Sequence, residues 1–352
     1  MERSDGIWTL GISDLAQRSQ EAGVAARAAA AVLLAEVLRG GASLDDLFAP
    51  ESVAGAKALA GLSAQDRSFV RALSATALRH SGEISHVLEG FLAKPLPKSS
   101  GLAREILLMG AAQLLFMRVP AHAAIATAVD VARGDRNGQH FSGLINAVLR
   151  KVASQGEAVL AGCDAAALNT PGWLMRRWQA RYGEARAHAI ALAHQQEAAL
   201  DLTIKHRAER DQWAQRLSGE AIGPMTVRLR GHSGRIEELE GYDEGAWWVQ
   251  DLAASLPVTL LGDVRGLSVL DLCAAPGGKS AQLAAAGARV IAVDESSSRL
   301  QRLAANLARL QLDVQCVAAD ARHYQPDAAV DAVLLDAPCS ATGTIRRHPD
   351  LP

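Results

Sequence analysis

A ten-residue segment, Asp271–Ser280, combines an acidic residue, two glycines and a lysine where a strand is expected to pass into a helix. The apolar run 267–270 is typical of a buried strand, and the alanine-rich run 281–286 is typical of a helix. A glycine-rich turn between such elements lets backbone N–H groups and a helix N-terminus approach a ligand closely. The segment therefore indicates a ligand-binding turn, although a turn of this kind by itself is equally compatible with a purely structural connection.

Two further carboxylates strengthen the first interpretation. Asp294 ends the next expected strand, 16 residues after Gly278, and Asp320 follows the third strand. A carboxylate at the end of the second strand can accept hydrogen bonds from both ribose hydroxyls. Asp320 is suited to meet an adenine amino group. The joint pattern predicts a ligand that contains adenosine, even though the turn matches neither GxGxxG nor the phosphate-binding GxxxxGK[ST] pattern.

A second motif, Asp336-Ala337-Pro338-Cys339, follows the fourth expected strand and would place a thiol at the mouth of the same crevice. The alternative is that Cys339 is a small buried apolar residue, which is the commonest fate of a free cysteine. Its position in a loop shortly before Arg346-Arg347-His348 favours a reactive role, because nearby cations stabilise a thiolate.

Composition excludes several other classes of protein. The 352 residues include 49% hydrophobic and 21% charged residues, which suits globular domains, and the length predicts two or three of them. The four cysteines form no CxxC pair, so we expect neither a disulfide framework nor a metal site, and a reducing cytoplasmic location is the default. No run of about 18 uncharged apolar residues occurs, so no membrane span is expected.

Three domains are expected from the order of the elements. Residues 15–158 read as helices separated by short Gly and Pro breaks, which predicts an all-α domain. Residues 165–250 mix helices with short strands, which predicts a small α/β linker domain. Residues 251–352 alternate strand and helix, which predicts a parallel sheet of the Rossmann type. Only four strands of this sheet occur, so we expect the last domain to be incomplete and the sequence to be truncated.

The two motifs together resemble a known family. DLCAAPGGKS at 271–280 and DAPCSATG at 336–343, followed by Arg346-Arg347-His348-Pro349-Asp350, resemble motifs of the S-adenosylmethionine-dependent RNA cytosine-5 methyltransferases of the NOP2/Sun class. The helical region resembles the antitermination factor NusB, notably in segments 120–125 and 143–150. The combination resembles bacterial enzymes that methylate small-subunit (16S) ribosomal RNA, and the resemblance extends from about residue 20 to 352.

This resemblance implies S-adenosyl-L-methionine as cofactor and assigns roles to individual residues. Asp294 would hold the ribose, Asp320 would lie near the adenine and Asp336 would close the site. The residues that would wrap the methionine part of the cofactor are Cys273, Ala274, Ala275, Pro276, Gly277, Gly278 and Lys279. The implied partner is small-subunit ribosomal RNA bound by a monomer, with no role for DNA or a membrane.

The implied reaction begins when a cysteine thiolate attacks carbon 6 of the cytosine, which makes carbon 5 nucleophilic. In this family Cys339 matches the cysteine that assists release of the methylated product, and the attacking cysteine lies in a later Thr-Cys-Ser motif. That motif is absent from the 352 residues, so the nucleophile is expected beyond Pro352. In DNA cytosine-5 methyltransferases the Pro-Cys cysteine is itself the nucleophile, which leaves that role open for Cys339.

Two other functions remain open from the sequence: a non-catalytic RNA-binding module that retains a cofactor-binding remnant, and a methyltransferase acting on DNA or a small molecule. Among the remaining residues, Cys316 is expected in the core, and packing is favoured over base stacking for Trp173, Trp178 and Trp247. Residues 166–230 carry ten Lys and Arg against six Asp and Glu. RNA phosphate contact and a solvated helix face are equally compatible with one group in this segment, namely Arg176, Arg177, Arg181 and Arg186.

Overall fold

Helices make up the N-terminal part of the computed structural model, which describes residues 12–49, 51–232 and 234–351 and, for residues 12–22, the backbone only. The described residues up to Glu197, together with residues 341–351, form one compact unit, called here the helical unit. Its helices are α1 (Ile12–Gly40), α2 (Leu44–Phe48), α3 (Val53–Ala58), α4 (Ala64–Arg79), α5 (Ser81–Phe91), α6 (Ala103–Leu115), α7 (Ala121–Gly134), α8 (Ser142–Leu160), α9 (Ala165–Asn169), α10 (Gly172–Tyr182) and α11 (Glu184–His194).

Local sequence explains where several of these helices begin. Ser52 and Ser63 precede α3 and α4, and their hydroxyls accept hydrogen bonds from the N–H groups of Gly55 and Asp66, each at 3.1 Å. These bonds satisfy donors that the helix itself leaves unpaired. The apolar faces of the helices meet in a core that includes Leu33, Leu73, Met109 and Leu149. The prediction of an all-α N-terminal domain is confirmed.

Helices α10 and α11 form a hairpin that continues the helical unit. Gly183 connects them with φ of 80°, a left-handed conformation that favours glycine. Leu174 and Trp178 of α10 pack against Ala187 and Ala191 of α11. The structure thus groups residues 165–194 with the preceding helices. The division of the sequence into domains at 15–158, 165–250 and 251–352 stays a prediction.

Residues 198–340 form the second compact unit, called here the sheet unit. It begins with an antiparallel sheet in the order β2-β3-β1-β4. Buried Trp213 packs in one hydrophobic cluster with Trp247, Leu202 and Val227 of this sheet. The strands are β1 (Leu200–Ile204), β2 (Glu220–Ile222), β3 (Thr226–Leu229) and β4 (Trp247–Val249), and α12 (Arg210–Arg216) lies between β1 and β2 in the chain.

A parallel sheet in the order β7-β6-β5-β8 follows, which confirms the expected strand–helix alternation. Because the strands are parallel, their carboxyl ends lie along one edge of the sheet. The elements are α13 (Leu252–Leu260), β5 (Ser268–Leu272), α14 (Gly278–Ala285), β6 (Arg289–Asp294), α15 (Ser297–Arg309), β7 (Gln315–Ala318) and β8 (Ala332–Leu335). Strand β7 is an edge strand on which Cys316 is exposed, so the expectation that Cys316 belongs to the core is wrong.

The two sheets are tied together by hydrogen bonds from side chains. The Arg309 guanidinium donates to the Trp247 carbonyl at 3.0 Å, and Lys205 Nζ donates to the Leu310 carbonyl at 2.6 Å. Asp201, buried in β1, accepts from the N–H of Leu252 at 3.1 Å. The antiparallel sheet therefore supports the start of α13 and the end of α15, between which the glycine-rich turn lies in the chain.

Among the described residues, no helix is long and apolar enough to cross a bilayer.

Candidate functional site

The carboxyl ends of β5, β6 and β8 bring three of the aspartates singled out in the sequence to one edge of the parallel sheet. Asp271 is the penultimate residue of β5, Asp294 ends β6, and Asp336 follows β8. A cavity beside the glycine-rich turn is lined by two of these aspartates and by residues of the turn and of the segment before α13. The lining residues are Val249, Gln250, Asp251, Ala254, Asp271, Cys273, Ala274, Ala275, Pro276, Gly278, Lys279 and Asp336.

The backbone of the turn is held in an unusual conformation. Cys273 has φ of 61°, and Gly277 has φ of 102°. The N–H of Ala274 donates to the Val293 carbonyl at 3.0 Å, which fastens the turn to β6. A Cβ atom on Gly277 would lie 2.6 Å from Leu303 Cγ, so only glycine fits there. The turn therefore brings its backbone close to α15 and leaves its other side open to the cavity.

Helix α14 begins at this turn without a side-chain cap. Gly277 occupies the N-cap position and has no side chain, so the N-cap residue satisfies none of the N–H groups of the first helical turn. A helix N-terminus of this kind attracts an anionic group such as a carboxylate.

Asp271 is the most unusual carboxyl group of the site. It is buried, its Oδ2 accepts a hydrogen bond from Ser280 Oγ at 2.6 Å, and its Oδ1 has no hydrogen-bond partner among the described residues. Burial raises the pKa of Asp271 to about 6, and the Ser280 hydrogen bond and the nearby Lys279 charge only partly offset this effect. An orphaned carboxylate oxygen beside a cavity is a ready acceptor for a cationic or hydrogen-bonding ligand group.

Lys279 connects the two sequence motifs. Its ammonium lies 2.5 Å from Asp336 Oδ2, so the first turn of α14 is joined to the Asp-Ala-Pro-Cys segment that follows β8. The Lys279 side chain is largely buried, whereas that of Asp336 is mostly exposed. Cys339 lies three residues further along the chain and is exposed, so the expectation of an accessible rather than buried thiol agrees with its position.

Asp294 is buried and already engaged by the protein. Its two carboxylate oxygens accept from the N–H groups of Ala275 at 3.1 Å and Ser296 at 3.0 Å, and Arg299 pairs with it at 2.9 Å. Each oxygen can accept more than one hydrogen bond, so these contacts orient the carboxylate without exhausting it. Asp294 therefore both holds the glycine-rich turn and remains chemically able to accept from hydroxyl groups.

Asp320 is not part of this cluster, and its carboxylate is hydrogen-bonded to Arg322 in the turn that follows β7. Arg322 donates from its backbone N–H at 2.9 Å and from its guanidinium at 2.6 Å, and these bonds hold the pKa of Asp320 far below its usual range. Asp320 does not line the cavity. A ligand amino group at Asp320 would have to displace or share the contact with Arg322.

Two residues of the cavity have surroundings that the sequence did not reveal. Gln250 is buried, accepts from Trp248 Nε1 at 2.9 Å and donates to Gln282 Oε1 at 3.1 Å. The available sequence signal was an amide two residues after a pair of tryptophans, a pattern that by itself indicates no role. Burial and the Asp294 carboxylate raise the pKa of the Cys273 thiol, so this thiol lines the cavity in its neutral form.

Among the residues that the structure describes, no group of His, Cys, Asp and Glu is arranged to hold a metal ion.

Segments of both units match models of known protein families. Residues 258–352 match the family model described as 16S rRNA methyltransferase RsmB/F, and residues 24–154 match the NusB family model. The chain is 35% identical to the ribosomal RNA small subunit methyltransferase B of Vibrio cholerae serotype O1, over 82% of this chain and 69% of that protein. It is 36% identical to the protein of the same name from Sodalis glossinidius, over 92% of this chain and 76% of that protein.

A solved structure supports the fold. The crystal structure of PH0851 aligns with a TM-score of 0.64 and 20% sequence identity, over 93% of this chain and 77% of that one. At this identity the similarity concerns the fold alone.

Proposed function

Because the chain belongs to the family of ribosomal RNA small subunit methyltransferase B, we propose that it methylates carbon 5 of a cytosine in small-subunit (16S) ribosomal RNA, with S-adenosylmethionine as donor. The observation that carries the proposal is the cavity at the carboxyl edge of the parallel sheet, where Asp271 keeps an orphaned oxygen beside an uncapped helix N-terminus. The Asp271 oxygen can accept a hydrogen bond from the ammonium of the cofactor's amino-acid part, and the N–H groups at the start of α14 can donate to its carboxylate.

The described residues fit the cofactor in the following way. When bound, S-adenosylmethionine supplies an electrophilic methyl group on a positively charged sulfur. The segment Cys273–Lys279 would wrap the methionine part, with the first turn of α14 receiving its carboxylate and Asp271 its ammonium. Asp294 would accept hydrogen bonds from the ribose hydroxyls, as carboxylates at the end of a second strand do in related folds. Asp320 would meet the adenine amino group in exchange for part of its contact with Arg322.

The acceptor must be activated by the protein, since carbon 5 of cytosine is a poor nucleophile. Addition of a cysteine thiolate to carbon 6 forms a carbon–sulfur bond and moves the ring electrons to carbon 5. Carbon 5 would then take the methyl group, while the bond from the methyl group to the cofactor sulfur breaks and a neutral thioether leaves. A base removes the carbon-5 proton, and the electrons of that bond expel the thiolate. The target base must be unpaired or flipped out of its helix for this attack. Asp336, fixed by Lys279, would close the side of the cavity that faces the base.

Cys339 is proposed to assist release of the methylated product rather than to attack the ring. This role follows the family resemblance of the Asp336–Gly343 segment, in which the attacking cysteine stands in a separate Thr-Cys-Ser motif. None of the four cysteines of the 352 residues stands in such a motif. The exposed position of Cys339 beyond β8 is compatible with either role.

The proposed function is tested in the source cell. Deletion of the gene is expected to remove one 5-methylcytosine from small-subunit ribosomal RNA, as mapped by mass spectrometry of nuclease digests. Re-expression of the complete wild-type gene should restore it, whereas the same gene with Asp294→Ala should not. Calorimetry should show that Asp294→Ala binds S-adenosylmethionine at least about tenfold more weakly, as expected for loss of a charged hydrogen-bond acceptor. Retention of every 5-methylcytosine after deletion would contradict the reaction, and unchanged affinity in Asp294→Ala would contradict the ribose assignment.

The role of Cys339 has its own test. RNA that contains 5-fluorocytosine traps the carbon–sulfur adduct because the fluorine cannot leave as a proton does. We expect the 352-residue chain to form no such adduct, as seen by denaturing gel electrophoresis. An adduct that disappears in Cys339→Ser, but persists in the matched exposed variant Cys316→Ser, would make Cys339 the attacking thiol.

A further inference from the structure

The outer surface of the α10–α11 hairpin carries a tryptophan among arginines. Trp173, Arg176 and Arg177 of α10 are exposed, whereas Leu174 and Trp178 of the same helix are buried, and the Trp173 side chain is 52% exposed. Arg181 follows Arg177 by one turn, and Arg186 is exposed at the start of α11. Trp173 and the four arginines 176, 177, 181 and 186 are together called here the Trp173 face. The hairpin lies outside the segments that match the two family models.

The arginines of the Trp173 face have few acidic residues near them in the sequence. None of the four makes an ion pair with a described residue, whereas exposed arginines elsewhere pair with carboxylates, as Arg216 does with Glu240 at 2.6 Å. Glu184 is the single Asp or Glu in the sequence from Pro171 to His194. An exposed arginine by itself needs no explanation, but uncompensated positive charge around a half-exposed tryptophan is complementary to an anionic ligand that also has flat apolar surfaces.

We propose that the Trp173 face binds an unpaired segment of the RNA substrate, with Trp173 stacked on a base and the arginines paired with the flanking phosphates. Single-stranded nucleic acids offer both features, because their bases are free to stack and their phosphates continue on either side. Double-stranded RNA covers its base faces and would use only the charges. This inference rests on the proposed function for the identity of the ligand as RNA.

A membrane surface is the other anionic partner to weigh, and the packing of α10 argues against it. A helix that lies on a membrane inserts a broad apolar face. The apolar face of α10, formed by Leu174 and Trp178, is buried against Ala187 and Ala191 within the helical unit. The exposed large apolar side chains of the hairpin are Trp173, Tyr182 and Leu192. They do not form one broad face for insertion into lipid, because Trp173 and Tyr182 lie on opposite sides of α10.

The test measures RNA binding by the full chain through fluorescence anisotropy. The probes are a labelled single-stranded oligouridine of about 12 nucleotides and a duplex of the same length. Trp173→Ala should weaken binding of the single strand at least about fivefold without changing the salt dependence, because a stacking contact is lost. Trp173→Phe should retain most of the affinity. The double variant Arg176→Gln/Arg177→Gln should reduce the slope of log K against log salt by about 1.4, since each phosphate contact contributes about 0.7 for single strands.

The matched control is Arg230→Gln/Arg235→Gln, which removes two exposed arginines that pair with Glu220 and Glu237. It should leave both the affinity and the slope nearly unchanged. Each of the following results would overturn the proposal: no binding of the single strand by the wild type, an unchanged affinity in Trp173→Ala, or a Trp173 dependence that appears only with anionic phospholipid vesicles. Loss of affinity in Trp173→Ala together with an unaltered 5-methylcytosine map after gene deletion would support the Trp173 face and contradict the proposed reaction, so the two failures are distinguishable.

Discussion

At the scale of single residues, two aspartates at neighbouring strand ends have opposite surroundings. Asp294 accepts from two backbone N–H groups and pairs with Arg299, so its negative charge is compensated by the protein. Asp271 is equally buried but receives one hydroxyl, from Ser280, and one of its oxygens is left without a partner. The difference indicates that Asp271 is incomplete without a ligand, whereas Asp294 also serves the fold.

A pH prediction follows for Asp271. Because burial raises its pKa to about 6, its contribution to stability is fully present below the unfolded value near 4 and is lost as the pH rises through 6. The difference in unfolding free energy between Asp271→Asn and the wild type should therefore grow by up to about 3 kcal/mol between pH 4 and pH 7, in favour of the variant. Urea unfolding at the two pH values measures it, with exposed Asp313→Asn as control, and equal pH dependence in wild type and Asp271→Asn would contradict the assignment.

At the scale of elements, the position of the site depends on how a strand and a helix are joined. Parallel strands β5, β6 and β8 place their carboxyl ends together, and the Cys273–Gly277 turn then directs the N-terminus of α14 toward the cavity. The strand and helix patterns predicted this arrangement because each is encoded locally, by apolar runs and by the glycines. The short helices α2 and α3 were not predicted, since five or six residues show too little periodicity.

Two adjacent glycines of the turn are expected to differ in how well they tolerate alanine. Gly277→Ala should destabilise the sheet unit by about 1–3 kcal/mol, because the new Cβ combines φ of 102° with a 2.6 Å contact to Leu303. Gly278→Ala should change stability by less than about 1 kcal/mol, since its Cβ would meet Gln250 at an ordinary 3.5 Å. Chemical unfolding of both variants measures the effect, and equal stability of the two would show that the backbone does not need glycine at position 277.

At the scale of the whole molecule, the helical unit is built from distant parts of the chain. Ile345 packs in the cluster of Leu174, the N–H of Leu44 donates to Asp350 at 3.0 Å, and Arg79 donates to the Arg346 carbonyl at 3.1 Å. The segment that follows the Asp-Ala-Pro-Cys motif is therefore part of the core of the helical unit. Family resemblance grouped this segment with the methyltransferase motifs and gave no indication of these contacts.

Protonation of His348 is expected to strengthen this packing. His348 Nδ1 lies 3.0 Å from Asp45, and that hydrogen bond raises the pKa of His348 above its usual value while burial opposes it. The same bond lowers the pKa of Asp45 to about 2, with a smaller contribution from Arg71. The stabilisation from His348 is present below about pH 6.5 and is lost as the pH rises through its elevated pKa, and that from Asp45 is present above about pH 4.

NMR titration of the histidine ring checks this prediction. In Asp45→Asn the pKa of His348 should fall toward its ordinary value. His348→Gln should lower the unfolding free energy more at about pH 5.5 than at about pH 8.5, by no more than about 1 kcal/mol because both partners are over one-third exposed. An unchanged pKa of His348 in Asp45→Asn would show that the contact does not persist in solution.

The sequence by itself determined many of the longer helices, the strands of the parallel sheet and the residues of the glycine-rich turn, because periodicity, turn chemistry and motif spacing are local properties. Only the tertiary structure decided the chemical state of those residues. Asp271 is orphaned with a raised pKa, Asp320 is occupied by Arg322, and Trp173 is exposed while Trp178 is buried. Burial and pairing depend on side chains that are distant in sequence, and no local pattern encodes which of two similar residues they will surround.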